Sequence, residues 1–170
     1  MKMTKQHLKK LLTWGLPLTV FVFIAVTQGP VIYQNFQSQG KTLPSVSLVN
    51  LETQSKTTLP NGENNLIIFW ASWCAPCKLE MARIKNSVED GTISPENVFA
   101  LNPFERPSKI KRFLDKNSYP FQFVSDNGKL AHFLDVKATP TFVWLKKEEI
   151  YRVSTGIHVI GIYLLESFLP

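Results

Sequence analysis

The sequence predicts a three-layer α/β domain, with a central mixed sheet flanked by helices, preceded by one N-terminal transmembrane helix. From Leu43 onward, short apolar runs typical of strands alternate with segments of helical periodicity. The last two strand patterns lie close together and predict a hairpin that closes the sheet. Upstream, residues 11–40 contain no charged residue, and a lysine-rich tail comes before them. The 170-residue chain has the length of one domain with an appendage.

Residues 1–42 are predicted to form a cytoplasmic tail (1–10), a transmembrane signal anchor (11–32) and a linker (33–42). The tail has four lysines and no acidic residue. The 22 residues of the anchor span about 33 Å as a helix, which is enough to cross the hydrocarbon core of a bilayer. Positive charges stay on the cytoplasmic side. The sequence therefore predicts a single-pass protein of the bacterial cytoplasmic (inner) membrane, with residues 43–170 on the periplasmic, or extracytoplasmic, side.

A cleaved signal peptide is the alternative to a permanent anchor. Cleavage sites end in small residues of the A-x-A type. The local candidate, Ala25-Val26-Thr27, ends in the bulkier threonine, and Gly29 is followed by Pro30. These features favour an uncleaved anchor.

The positive charge of the chain is mostly a signal of membrane topology. The formal net charge is +6, but without the four tail lysines only 15 of the 19 basic residues remain against 13 acidic ones. The basic run from Arg106 to Arg112 is typical of the solvated face of a helix. Because no basic stripe is interleaved with aromatic residues, we do not expect nucleic-acid binding.

The first half of the domain is predicted to contain two strands and a helix. Val46–Leu51 has the pattern of a first strand or hairpin arm, and the apolar run Leu66–Trp70 that of a buried central strand. A helix is expected over Cys77–Val88. Its apolar residues Met81, Ile84 and Val88 fall on one face.

The second half continues the alternation. Val98–Leu101 is expected to be a parallel strand, and Pro107–Lys116 an amphipathic helix that begins with proline. Phe121–Val124 is a short strand that ends at an Asp-Asn-Gly turn, and Leu130–Leu134 is a short helix.

The end of the domain is predicted to be a hairpin and a helix. Thr141–Trp144 and Ile150–Val153 flank a short charged turn, as the two strands of a hairpin do. A last helix is expected from about Ile157 to Leu169.

Both cysteines of the chain, Cys74 and Cys77, lie in a Trp-Cys-Ala-Pro-Cys motif directly after a predicted strand. Thiols at positions i and i+3 of a helix's first turn share one face and are close enough to form a disulfide. The free N–H groups and the positive dipole at a helix N-terminus stabilise a thiolate, which is the reactive form. The motif therefore favours a redox-active thiol–disulfide exchange site.

Two other interpretations of the cysteines stay open. A purely structural disulfide is one, although so short a loop constrains the unfolded chain little. Half of a zinc site is the other, but zinc sites usually have four ligands and the chain has no second cysteine pair. His132 and His158 are isolated in sequence, and His7 lies in the basic N-terminal tail. We therefore predict no metal site.

The chain resembles the thioredoxin superfamily, and within it the membrane-tethered TlpA/ResA-like thiol–disulfide oxidoreductases, which include those of cytochrome c maturation. The segment Phe69–Cys77 is similar to the active-site segment of that family. Lys78-Leu79-Glu80 extends it to C-x-x-C-K-x-E, and Ala138–Phe142 is similar to the family's proline segment before the hairpin. The N-terminal anchor is a further feature that this family has. The resemblance covers nearly all of the exported part, from about Leu43 to Leu169.

The resemblance implies the roles of several site residues. Pro140 is expected to follow a cis peptide bond and to lie across from the cysteines, which leaves the backbone of Thr139 free to pair with an extended substrate. An ordinary trans turn proline is the alternative. Trp73 and Pro140 are expected to border a shallow apolar groove for the partner chain. Cys74 is expected to attack as a thiolate, and Cys77 to resolve the mixed disulfide.

Glu80 takes the proton-transfer role by resemblance. Thioredoxin has a buried aspartate six residues before its first cysteine, where this chain has Ile68. Glu80 lies three residues after Cys77 on the same helical face. The alternative is a solvated surface carboxylate. Many relatives also have a helix-kinking proline where this chain has Ala82, so a straighter helix is expected here.

These observations predict a protein-disulfide reductase that needs no other cofactor. Its expected partners are exported cysteine-containing proteins, with apocytochrome c the leading candidate by resemblance, and a membrane electron donor. A reductant is expected because the outside of a bacterial membrane is kept oxidising. The alternative from another class is a copper or zinc delivery protein on the same fold, although His132 has no evident route to the thiols.

Overall fold

The computed structural model describes residues 15–157 of the chain. The chain separates into two units, and each is described on its own: an N-terminal helix, and an α/β domain that begins at Ser38. The predicted basic tail (1–10) lies outside the described residues, as do the first residues of the predicted anchor and all of the predicted last helix beyond Ile157.

The N-terminal helix, α1, covers Leu16–Ser38 and contains Pro30. It continues six residues past the predicted end of the anchor at Ile32, so most of the predicted linker is helical. Among residues 15–157, no helix combines the length and the apolarity that a membrane span requires.

The domain is built on one seven-stranded mixed sheet with the strand order β2-β1-β5-β4-β3-β6-β7. The strands are β1 (Val46–Asn50), β2 (Lys56–Leu59), β3 (Asn64–Phe69), β4 (Val98–Leu101), β5 (Gln122–Ser125), β6 (Thr141–Lys146) and β7 (Glu149–Thr155). The central strands β3, β4 and β5 are parallel, and the flanking pairs are antiparallel. The mixed sheet predicted from the sequence is therefore present.

Helices cover both faces of the sheet. They are α2 (Ala75–Glu89), α3 (Pro107–Leu114) and α4 (Lys129–Phe133), and a short 3₁₀ helix covers Pro95–Asn97. Alternate residues of a strand point to opposite faces, so β3 contributes to two cores. One core joins Leu66, Ile68 and Trp70 to α2 and α3, and the other joins Ile67 and Phe69 to α4. This gives the predicted three layers.

Local sequence explains where the helices begin. Proline lies in the first turn of α2 and of α3, where its missing N–H has no helical partner in any case. Before α4, Gly128 has a φ of +81°, which glycine adopts without strain. The carboxylate of Asp126 accepts hydrogen bonds from the N–H groups of Gly128 and Leu130.

The strands and helices predicted for the domain are present up to Ile157, with ends that differ by up to two residues. Helix α2 begins at Ala75 rather than at Cys77, and α3 ends at Leu114 rather than at Lys116. Strand β2 was not predicted. Its sequence, Lys-Thr-Thr-Leu, has one large apolar residue, Leu59, because an edge strand buries little side-chain surface.

Candidate active site

The two cysteines lie at the start of helix α2, in the turn that follows strand β3. They form a disulfide with an S–S distance of 2.02 Å and a Cα–Cα distance of 5.3 Å. Cys74 is the N-cap residue of α2, and its Sγ accepts a hydrogen bond from the N–H of Cys77 at 3.1 Å. The fold therefore places Cys74 where the unpaired N–H groups and the helix dipole stabilise a thiolate after reduction.

The residues around the disulfide differ in their exposure to solvent. Trp73 is 64% exposed, whereas Cys74 is 4% exposed and Cys77 fully buried. Cys74, the expected nucleophile, is the more exposed of the two cysteines, but the difference is small and both are buried in the oxidised protein. The indole of Trp73 is thus the large apolar surface next to the reactive pair.

The proline segment lies at the same edge of the sheet as the cysteines. Strands β3 and β6 are antiparallel, and Phe69 at the end of β3 pairs with Thr141 at the start of β6. The turn towards Cys74 and the segment before Thr141 therefore meet at one edge. The Thr139–Pro140 peptide bond is cis, as the resemblance implies, and not the trans bond of an ordinary turn.

Hydrogen bonds fix the proline segment on both sides. The carbonyl of Pro140 accepts from the N–H of Gly156 at 2.9 Å. The hydroxyl of Thr141 donates to the carbonyl of Ala138 at 2.8 Å and also lies 2.9 Å from the hydroxyl of Thr155. Pro140 is buried and Thr139 half-buried, so the segment is held as part of the domain.

Glu80 is buried on helix α2, with its side chain 2% exposed. Its Oε1 accepts a hydrogen bond from Nη1 of Arg83 at 2.8 Å, in an i, i+3 ion pair. The alternative of a solvated surface carboxylate is therefore wrong. A carboxylate removed from water, three residues after Cys77, is consistent with a role in proton transfer, which stays a prediction.

Sequence reasoning missed a second buried carboxylate, that of Glu105. Its side chain is 3% exposed, and its Oε2 accepts from the N–H of Ser72 at 2.6 Å and from Nδ2 of Asn102 at 2.7 Å. Its Oε1 accepts from the hydroxyl of Ser72 at 2.7 Å and lies 2.6 Å from Nζ of Lys109. Ser72 is two residues before Cys74, so Glu105 reaches the turn that carries the disulfide.

The surroundings of Glu105 also change its acidity. Burial alone raises the pKa of the carboxyl, but the hydrogen bonds from Lys109, Ser72 and Asn102 outweigh burial and lower the pKa to about 2. A signal in the sequence pointed to this residue. Glu105 comes shortly after β4, and the carboxyl ends of parallel neighbours such as β3 and β4 meet at one edge of the sheet.

The side chains that could bind a metal ion are dispersed in the part of the chain that the structure describes. Within residues 15–157, no three histidine, cysteine, aspartate or glutamate side chains are grouped so that they could hold a metal ion. His132 is exposed on helix α4, which packs on the opposite face of the sheet from α2. The geometry instead supports reversible closure of the disulfide at a helix N-terminus.

Comparisons with known proteins give the family of this chain. Residues 39–155 match the model of the AhpC/TSA family. A thioredoxin-like protein of Haemophilus influenzae is 28% identical over 159 residues, covering 88% of this chain and 89% of the relative. The thiol-disulfide oxidoreductase ResA of Halalkalibacterium halodurans is 25% identical over 148 residues, covering 82% and 84%.

Solved structures show the same fold. The crystal structure of StoA from Bacillus subtilis superposes with a TM-score of 0.63 at 24% identity, covering 74% of this chain and 98% of the other. The domain is thus thioredoxin-like in fold. A relative named as a thiol-disulfide oxidoreductase, ResA, is similar to it in sequence over most of the chain. Because the family match extends over most of its length, the chain belongs to the AhpC/TSA family, as a thiol–disulfide oxidoreductase with Cys74 and Cys77 as its disulfide.

Proposed function

We propose that this protein is a membrane-tethered reductant of disulfides in exported proteins, with its domain on the extracytoplasmic side. The observation that carries the proposal is the Cys74–Cys77 disulfide at the N-terminus of α2, beside the exposed Trp73. Such a pair gives up two electrons when it closes, and it accepts a protein chain through the apolar surface next to it.

The reaction proceeds through a mixed disulfide. The thiolate of Cys74 attacks one sulfur of the substrate disulfide, which forms a Cys74–substrate bond and releases the other substrate sulfur as a thiolate. The thiolate of Cys77 then attacks Sγ of Cys74, which closes the Cys74–Cys77 disulfide and frees the second substrate thiolate. Each released thiolate takes up a proton. The substrate gains two electrons, and a membrane electron donor restores the dithiol.

The tether rests on the sequence at the N-terminus. Four lysines come before 22 uncharged residues (11–32), which is the pattern of a signal anchor with a cytoplasmic N-terminus. Several large apolar side chains of α1 are exposed, among them Phe21, Phe23 and Val26. Exposed apolar surface of this kind favours burial in lipid.

The direction of electron flow follows from the compartment. Outside the bacterial inner membrane, thiols are kept oxidised, so a tethered dithiol is useful there as a specific reductant. Its substrates are exported proteins with cysteines. By the resemblance to the oxidoreductases of cytochrome c maturation, apocytochrome c with its C-x-x-C-H sites is the leading candidate.

The substrate is identified by trapping it. Changing Cys77→Ser removes the thiol that resolves the mixed disulfide, so the partner stays joined to Cys74. We expect mass spectrometry of cell envelopes to find adducts of exported cysteine-containing proteins on this variant. The control is the double variant Cys74→Ser/Cys77→Ser, which has the same background without the nucleophile.

The result has three informative forms. Adducts that need Cys74 and contain apocytochrome c support the full proposal. Adducts of other exported proteins support the reductase but contradict the cytochrome role. The absence of any adduct that depends on Cys74 contradicts the proposal as a whole.

The tether has a separate test. The test fuses a topology reporter after Lys41, in place of the domain. We expect a reporter that functions only outside the cytoplasm to be active there and to fractionate with membranes. A reporter that is active only in the cytoplasm contradicts the orientation. Recovery of a mature chain that begins near Gly29 shows a cleaved signal instead of an anchor.

A further inference from the structure

We infer that Glu105 is a positioning residue of this oxidoreductase: its carboxylate holds the turn before Cys74, so that the Cys74 sulfur stays at the N-terminal end of helix α2. The inference rests on the thiol–disulfide chemistry of the pair. It does not depend on the tether, on the direction of electron flow or on the substrate that we propose.

The carboxylate of Glu105 joins three segments of the site. Both of its oxygens accept from Ser72, one from the N–H and one from the hydroxyl, at 2.6 and 2.7 Å. Asn102, directly after β4, donates to Oε2 at 2.7 Å, and Lys109 in the first turn of α3 lies 2.6 Å from Oε1. A bidentate acceptor with four donors fixes the orientation of Ser72 more firmly than any one bond does.

Ser72 links the carboxylate of Glu105 to the nucleophile, Cys74. The N–H of Cys74 donates to the carbonyl of Ala71 at 3.1 Å, which closes a turn with Ser72 and Trp73 at its centre. At the end of that turn, Sγ of Cys74 accepts from the N–H of Cys77 at 3.1 Å. Holding Ser72 therefore holds Cys74 at the helix terminus that stabilises its thiolate.

The negative charge of Glu105 affects the pKa of the Cys74 thiol in the opposite direction from the positioning of Ser72, but more weakly. A bare carboxylate near Cys74 disfavours a second negative charge and raises the thiol pKa. Here the ammonium of Lys109 offsets that charge, and Lys78 and Glu80 on α2 are the other charged groups that follow Cys77. Because the paired charges largely cancel, we expect the loss of position to outweigh the loss of charge.

The variant Glu105→Gln separates the two effects. An amide keeps the size of the side chain but has one acceptor oxygen, and its NH₂ group faces donors from Ser72 or Asn102. We expect the pKa of the Cys74 thiol to rise, and its alkylation at pH 7 to slow by about three- to tenfold, because the rate follows the thiolate fraction.

The measurement is alkylation of the reduced full-length chain by iodoacetamide across a range of pH values. Mass spectrometry of peptides that carry Cys74 or Cys77 reports each cysteine by itself, and thermal unfolding of each variant is recorded in parallel. Ser72→Ala removes only the hydroxyl bond, so we expect a smaller shift in the same direction. Glu89→Gln makes the same chemical change at an exposed position at the far end of α2, and we expect the wild-type profile.

Each outcome decides the inference. A higher midpoint in Glu105→Gln, with a smaller rise in Ser72→Ala, supports it. An unchanged midpoint with a lower unfolding temperature shows a purely structural role, and a lower midpoint shows that charge dominates; either result overturns it. If Glu105→Gln does not fold, the profile of Ser72→Ala decides, and a wild-type midpoint there overturns the inference. A wild-type Cys74 no more reactive than a free thiol contradicts the oxidoreductase site itself.

Discussion

Two buried carboxylates, Glu80 and Glu105, lie near the cysteines in the fold, and their partners differ. Glu80 pairs with Arg83 one turn along its own helix, and the guanidinium of Arg83 is partly exposed. Glu105 accepts hydrogen bonds from three separate segments of the chain. The pair of Glu80 and Arg83 keeps a carboxylate in the helix that carries Cys77. The hydrogen bonds of Glu105 hold the turn before Cys74.

Replacing Glu80 by Gln is expected to change the pH profile of cysteine alkylation while the fold stays intact. The substitution removes a buried ionisable group from α2, the helix whose N-cap residue is Cys74, so proton exchange with the dithiol loses a partner. The measurement is the rate of alkylation against pH, with circular dichroism as the check on folding. A profile identical to that of the wild type would return Glu80 to a structural role with Arg83.

Glu105 is expected to make the protein sensitive to acid. Its pKa is about 2 in the folded protein, below the ordinary value of 4.5, so its contribution to stability is fully present above pH 4.5. That contribution is lost as the pH falls from about 4.5 towards 2, because in this range the unfolded state takes up a proton that the folded state does not. Comparing urea unfolding of the wild type and Glu105→Gln, we expect a stability difference that is constant above pH 5 and shrinks below it. A difference that does not change with pH would contradict the assignment of the low pKa.

At the residue scale, the sequence predicted what depends on neighbours along the chain. Cys74 and Cys77 were identifiable because their spacing and the preceding apolar strand are local features. The burial of Glu80 was not, because it depends on how α2 packs against the sheet. The role of Ser72 and Glu105 depends on two loops, 33 residues apart, that meet only in the folded domain.

Helix α2 is the element that connects the site to the core. Its N-terminus carries the disulfide, and its buried face presents Cys77, Met81 and Ile84 to the sheet. The spacing of three to four residues places these side chains on one face of the helix. Packing of this face therefore fixes the helix terminus on which the chemistry depends.

Replacing Ile84 by Ala is expected to destabilise the domain by about 2–5 kcal/mol, because the side chain is almost fully buried and its loss leaves a cavity. The matched control is Leu79→Ala on the same helix, where the leucine is about half exposed and the expected cost is much smaller. Chemical denaturation of the oxidised protein measures both. Equal costs for the two variants would contradict the assignment of the buried face of α2.

The elements with strong periodicity or apolar runs were predictable, and those without were not. The last four residues of β3 and all four residues of β4 are apolar, because helices cover both faces of the sheet. Strand β2 pairs with β1 through its backbone and needs few apolar side chains, so its sequence carries little signal. The boundary of α1 was also not evident, because the polar residues before Ser38 continue the helix.

At the scale of the whole domain, the strand order creates the site. Strand β3 lies between β4 and β6, so the turn after β3, the loop after β4 and the segment before β6 reach one edge of the sheet. These three connections carry Cys74, Glu105 and Pro140. The alternation of elements predicted the class of fold, but the order of the seven strands follows from long-range pairing that no local pattern specifies.

The central claim is that the Cys74–Cys77 pair exchanges disulfides with other proteins. The most direct test mixes the reduced full-length protein with an oxidised peptide that contains a C-x-x-C-H disulfide, and follows both by alkylation and mass spectrometry. We expect the peptide to be reduced while the Cys74–Cys77 disulfide forms in equal amount, and the Cys74→Ser variant to transfer nothing. A peptide disulfide that remains intact in the presence of the reduced wild-type dithiol would contradict the account.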